Sequence, residues 1–235
     1  MDVRFFCLLT EEVCTIVANF EFVEYSKKET KIAKLTVQLK AYLPVGFERM
    51  VAELLLEYPI IFTITTPRST KLGDYRRPQS GELKHRISVN GNLNSFSFLV
   101  TTLHEIAHLQ AFVIHGNLIK PHGEEWKQTY RNLLWPAIQT GLLPKEIESA
   151  LMKSLTNTKA SSCSDTQLSR VLKQYDVTPT NEVSLEEIPK NATFVLQGKL
   201  FRKGDLRRTR FVCEEIHTKR KFLVHTLASV QYLDQ

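Results

Sequence analysis

The chain has 235 residues, 43% of them hydrophobic and 24% charged, enough for one globular domain of ordinary size and a smaller companion. Its four cysteines (Cys7, Cys14, Cys163, Cys213) are scattered and form no CxxC pair, which argues against both a disulfide framework and a cysteine zinc site. No segment reads as a membrane span, and Asp2, Glu11 and Glu12 interrupt any signal-peptide core, so a cytoplasmic protein without a membrane partner is expected.

The first thirty residues end in the charged run "EYSKKETK", which reads as a boundary closing an N-terminal extension, 1–30. Helical spacing covers Ile32 to Tyr42, is broken at Pro44 and resumes in "GFERMVAELLLEY". "IIFTITT" is β-branched and apolar, a strand closed by Pro67, and "HRISVN" is a second strand after the turn "RRPQSGELK". "GNLN" then leads into a long apolar helix from about Ser95 to His115. Helices are expected at Glu124 to Trp135 and Lys145 to Ser154, closing a domain at 31–155. The stretch 156–190 reads as a linker carrying one short helix capped by Ser164 or Asp165. From 191 to 235 the texture changes to short strands, "TFVLQ", "KLFRK", "TRFVCEE" and "RKFLVHTLASVQYL", a small antiparallel β module. The class is therefore α+β.

The stretch His104 to Trp126 holds four of the seven histidines and three carboxylates. Residues four apart share one helix face, so His104 and His108 of "HEIAH" can aim two imidazoles at one point. Between Phe96 and Ile114 the only carboxylate or ammonium side chain is Glu105. An ionised carboxylate in such a helix is costly unless a nearby cation compensates it. His115 lies about 10 Å further along the axis and, with Gly116 after it, reads as a helix end. His122 is the third ligand candidate: Gly116 and Asn117 release the chain, and the residues between can return it to the helix. Glu124 and Glu125 are alternatives, although acidic residues also suit a helix's first turn. Three neutral imidazoles with one open position make a catalytic zinc site, one Zn²⁺ per chain. Such a metal lowers the pKa of a bound water from 15.7 to about 7, and Glu105 is the natural general base. The chemistry expected is metal-assisted hydrolysis, most plausibly of a peptide bond.

With HEIAH, the downstream "PHGEEW" and the upstream "TKLGDYR" and "HRISVN", the chain resembles the SprT-like family of zinc metalloproteases, which includes the Spartan proteases. The resemblance runs from about Lys31 to the C-terminus and is most specific between Pro67 and Tyr130. It implies a small gluzincin-like zincin, with a short β-sheet over an active-site helix, and supports His122 as third ligand. It also implies a substrate held as an added strand at the sheet edge, with "HRISVN" near that role. Tyr75 is a candidate electrophilic helper, or simply a tyrosine on a half-buried strand. Many members carry a C-terminal zinc ribbon, of whose ligands only Cys213 stands here, so the β module is a degenerate ribbon without metal.

The formal charge is +6, and 191–235 carries nine Lys/Arg against four Asp/Glu. Arg202, Lys203, Arg207, Arg208, Arg210, Lys219, Arg220 and Lys221, interleaved with Phe201, Phe211 and Phe222, suit a nucleic-acid surface or a solvated face over a phenylalanine core. The leading expectation is a zinc endopeptidase acting on protein or peptide substrates, DNA-associated or DNA-crosslinked ones included. The alternatives are a non-catalytic DNA-binding protein with a structural metal, and a metallohydrolase with a non-peptide substrate.

Overall fold

The computed structural model describes residues 26–68, 71–156, 165–177 and 181–233. Cys7, Cys14, Cys163, Ser164 and most of the expected N-terminal extension lie outside them. Among the described residues the fold is mixed α+β, with six α-helices and two sheets. Helix α1 spans 26–39, so the charged run expected as a boundary supplies its first turns instead. Its lysines and glutamates are good helix formers on a solvated face, while Ile32 and Leu39 are buried at helical spacing. Helix α2 (Glu48–Leu56) follows, burying Val51, Ala52 and Leu55.

Strands β1 (Ile60–Thr65), β2 (Gly73–Arg76) and β3 (His85–Asn90) form the first sheet in the order β1-β3-β2. β3 is central, parallel to β1 and antiparallel to β2. Its alternation puts His85, Ile87 and Val89 on the buried face, where they meet helix α3. "HRISVN" is therefore not at the sheet edge where the resemblance placed it, because β3 is paired on both sides, and β2 is the edge strand instead.

Helix α3 (Ser95–His115) runs through the middle of the unit. Asn94 caps it by accepting from Ser97 N–H at 2.9 Å, and Gly116 ends it at φ 74°, a left-handed turn that glycine takes without a Cβ penalty. By length and composition this helix would qualify as a membrane span, against the expectation that no segment does. In the fold, 67% of its apolar window is buried, so the protein's own core consumes that hydrophobicity. A short 3₁₀ turn (Gly116–Leu118) leads on to helix α4 (Glu124–Gln139), which continues past its expected end at Trp135 through Pro136. α5 (Lys145–Thr156) and α6 (Thr166–Lys173) complete the helical unit. Asp165 is the α6 cap, accepting from Gln167 and Leu168 N–H.

The expected linker is not featureless. α6 packs Leu168 and Leu172 into the main core, and residues Glu182–Ser184 form β4, which pairs with the last strand. Strands β4, β5 (Thr193–Leu196), β6 (Lys199–Arg207), β7 (Arg210–Glu215), β8 (Lys221–His225) and β9 (Ser229–Tyr232) make one antiparallel sheet in the order β4-β9-β5-β6-β7-β8. Its separate core is built on Leu185, Ile188, Phe194, Phe201, Cys213, Val224 and Val230. Two contacts tie it to the helical unit. Arg170 meets Glu186 through two bonds of 2.8 Å, and Lys173 donates to Ser184 Oγ and the Leu227 carbonyl.

Candidate metal centre

His104 and His108 stand one turn apart on α3, and His122 enters from the loop before α4. The three Nε2 atoms form a nearly equilateral triangle: 3.1 Å from His104 to His108, 3.0 Å from His108 to His122 and 3.1 Å from His122 to His104. These three histidines form a buried group that can hold a metal ion.

The donor set fits one. Two nitrogens bonded to a single tetrahedral ion at about 2.0–2.1 Å lie roughly 3.3 Å apart, close to the spacing seen. Hydrogen bonding alone explains the triangle poorly, because two lone pairs facing each other at this distance repel unless a proton or a cation sits between them. The rings are neutral at ordinary pH. Burial, aided by the neighbouring imidazoles, lowers the His104 pKa to about 2 and that of His108 to about 4, and burial also lowers that of His122.

His122 is held in left-handed backbone, at φ 59°. For a residue with a Cβ this costs on the order of 1–2 kcal/mol, which the surrounding contacts must offset. Pro121 and Gly123 flank it, and Gly123 N–H closes a turn onto the Lys120 carbonyl at 2.8 Å. Trp126, 1% exposed, lies 4.6 Å from the His104 ring, 5.1 Å from His108 and 4.7 Å from His122, and stacks on Tyr130. It is the floor that fixes all three rings. His115 is exposed, and of the alternatives Glu124 points to solvent and pairs with Lys127 at 2.7 Å. Neither Glu124 nor Glu125 joins the group.

Glu105 is 6% exposed and faces β2. A Cβ on Gly73 would meet its Oε1 at 2.4 Å, so the strand can approach the carboxylate this closely only through glycine. The Tyr75 backbone N–H donates to it. Burial first, then the Asp74 carboxylate, pushes its pKa up to about 8. Together, β2, the end of α3 and the His122 loop enclose a cleft of about 530 Å³ that contains the three histidines and Glu105.

Tyr75 lines this cleft, its ring parallel to His108 at 6.4 Å. Its hydroxyl is already engaged with His85 Nδ1 at 3.0 Å. The sequence reading did not single out His85 or Gly73. The strand alternation of "HRISVN" placed a histidine on the apolar side, which was the available signal for the first. Nothing local marked the second, whose role depends on the helix opposite.

Of the eight cations assigned to a nucleic-acid surface, seven are exposed and one is not. Lys203 is 4% exposed. Its Nζ donates to the Ile188 carbonyl at 2.5 Å and the Glu186 carbonyl at 3.3 Å, and lies 4.0 Å from the Phe211 ring centroid. It is a core cation and is withdrawn from the surface set. Arg202 and Lys221 flank Glu214 in one cross-strand row, Lys219 lies 3.7 Å from Glu214, and Arg207 pairs with Arg210 at the hairpin end beside Arg208. Phe201 and Phe211 share the inner face with Cys213. Strand alternation therefore separates these two rings from the outward cations Arg202, Arg210 and Lys221. Cys213 is buried in the module core, where burial pushes its thiol pKa up. No family model, curated protein or solved structure matches the chain.

Proposed function

We propose that the chain is a zinc-dependent endopeptidase of the SprT-like type, built as a small zincin. One observation carries this reading: three neutral imidazole nitrogens converge in a cleft whose wall holds the only carboxylate of the central helix. When bound, the metal would polarise a carbonyl and lower the pKa of a water from 15.7 to about 7. His104, His108 and His122 would hold it, leaving one position open to the cleft. Glu105 would take the proton of the attacking water and deliver it to the departing amine, a role that needs the ionised carboxylate, which a dication beside it would favour against the burial that raises its pKa. Gly73 and the Tyr75 N–H fix where that carboxylate points. Among the described residues no strand pairs with the outer edge of β2, whose backbone groups other than the Tyr75 N–H are open to an extended peptide, so substrate would bind as an added strand.

Metal analysis and peptide digestion of three proteins test the proposal. Wild type should carry about one zinc, Glu105→Gln should keep it and lose about 10²–10⁴-fold in hydrolysis, and His122→Ala should lose the metal. Full metal content in His122→Ala, or wild-type cleavage by Glu105→Gln, would overturn it.

A second reading is a DNA-binding role, with or without proteolysis, motivated by the seven exposed cations that remain of the set assigned to such a surface in the β module. Contact with about four phosphates gives a slope of log K against log salt near −4. Replacing Arg207, Arg208 and Arg210 together by alanine should flatten it by about three. A flat slope in the wild type disposes of this role, and absence of cleavage alongside a steep one favours the non-catalytic version.

A further inference from the structure

The cleft carries charge as well as metal ligands. From Pro67 to Arg86 the chain has six Lys/Arg against two Asp/Glu, a second basic segment. Several cations in and beside the cleft are neutralised. Lys71 and Arg76 share Asp74 at 2.8 Å each, Arg86 pairs with Glu82 at 2.7 Å, and Lys127 pairs with Glu124. Arg77 and Lys120 are different. Both line the metal cleft, and among the described residues neither has an ion-pair partner. Arg77 donates one N–H to the neutral Asn117 side chain, which spans from the end of β2 to the 3₁₀ turn and steadies the guanidinium while leaving its charge uncompensated. A second groove runs on from here along the 77–80 loop, sharing Tyr75, Arg77, Phe112 and Asn117 with the first. An extended chain lying on β2 and crossing the three histidines would pass Arg77 within a few residues of the metal.

We propose that Arg77 and Lys120 select a polypeptide with an acidic side chain close to the bond that is cut. This rests on the peptidase reading above and names its substrate class. A guanidinium with free N–H groups binds a carboxylate in a planar, two-bond geometry, and a cation in a walled cleft concentrates anions. A peptide suits the cleft better than a phosphate backbone does. Phe112 and Ile119 contribute an apolar wall for neighbouring side chains, and a volume of about 530 Å³ does not admit a duplex.

The test uses the full zinc-loaded chain and three quenched peptides that differ only in Glu, Gln or Lys at the positions flanking the scissile bond. kcat/KM should fall from Glu to Gln to Lys, with about fivefold between the extremes at low ionic strength and convergence near 1 M salt. Anisotropy of the same labelled peptides on Glu105→Gln should show that order in binding without turnover. Arg77→Glu with Lys120→Glu should reverse it, and Arg77→Lys should retain it, which separates charge from misfolding. Cleavage of all three peptides at equal rates with equal binding overturns the inference and leaves the peptidase standing. The same binding order with no cleavage by wild type sinks the peptidase and keeps an acidic-peptide cleft. Displacement of peptide by a single-stranded oligonucleotide, lost in the Arg77→Glu, Lys120→Glu protein, assigns the cations to phosphate and overturns the proposal.

Discussion

The two units of the molecule bury polar groups in opposite ways. In the β module the buried charges are answered within the fold. Lys203 is bonded to two carbonyls and covered by the Phe211 ring, and Glu215 is held by Thr218 at 2.6 Å and Lys199 at 3.2 Å. In the helical unit three imidazole nitrogens point at one another beside a buried carboxylate that Gly73 and the Tyr75 N–H adjoin. The first arrangement is complete without a ligand, whereas the second is a group that can hold a metal ion. Buried polarity is thus a structural device in one unit and, on the function proposed above, a binding device in the other.

Metal removal should separate the units most sharply. An ion that binds only the folded state stabilises it by about 4 kcal/mol at a free concentration a thousand times its Kd. A chelator should therefore lower the unfolding temperature of the helical unit and leave the β module almost untouched. Trp126 and Trp135 are the only two tryptophans and both lie on α4, so intrinsic fluorescence follows the helical unit alone. Hydrogen exchange along β6 and β7 follows the other. Equal loss in both would show that the units unfold as one.

The reverse experiment acts on the module. Lys203→Met keeps most of the volume but leaves the Ile188 and Glu186 carbonyls without their donor, at a cost of about 2 kcal/mol. Exchange protection in β6 and β7 should drop accordingly, while zinc content and tryptophan fluorescence hold. A change below about 0.5 kcal/mol would mean that water replaces the ammonium, and the contrast between the units would weaken.

Gly73→Ala probes the contact between β2 and the central helix. The added methyl must displace Glu105 Oε1 and Thr101 Cγ2, both inside 3 Å. Misplacing a reacting group by about 1 Å costs on the order of 10²-fold. On the peptidase proposal, hydrolysis should fall about 10- to 100-fold with metal content unchanged. Wild-type turnover would show that Glu105 is free to relax and that the strand does not position it.

Much of this was readable in the chain because the signals were local. Asn94, Gly116 and the apolar run between them mark α3, and the reach from Gly116 back to the helix makes His122, rather than His115, the third partner. Elements that depend on non-local pairing were not readable. β4 is three residues long inside a loop-like stretch, and only its pairing with β9 makes it a strand. Lys203 looked like one more surface cation, because its inward direction is set by the β6–β7 register and by carbonyls some fifteen residues away. α1 started earlier than expected for a related reason: a charged run reads the same whether it is loop or the wet face of a helix.

The smallest effect is expected at Tyr75, and it decides between two roles that the sequence left open. Burial pushes the phenol's pKa up to about 12, so it stays protonated and can donate to His85 Nδ1. Burial also lowers the His85 pKa, which keeps that ring neutral and able to accept. A hydroxyl already committed at 3.0 Å to a buried partner must break that bond before it can turn towards a substrate carbonyl. Tyr75→Phe should then cost about 1 kcal/mol of stability, the net worth of one hydrogen bond, and change kcat by less than about threefold. An electrophilic role predicts instead a loss of about 10²-fold or more in kcat with stability nearly constant. Measured side by side, unfolding and turnover of this one variant tell whether the β2 tyrosine holds the sheet to His85 or acts on the substrate.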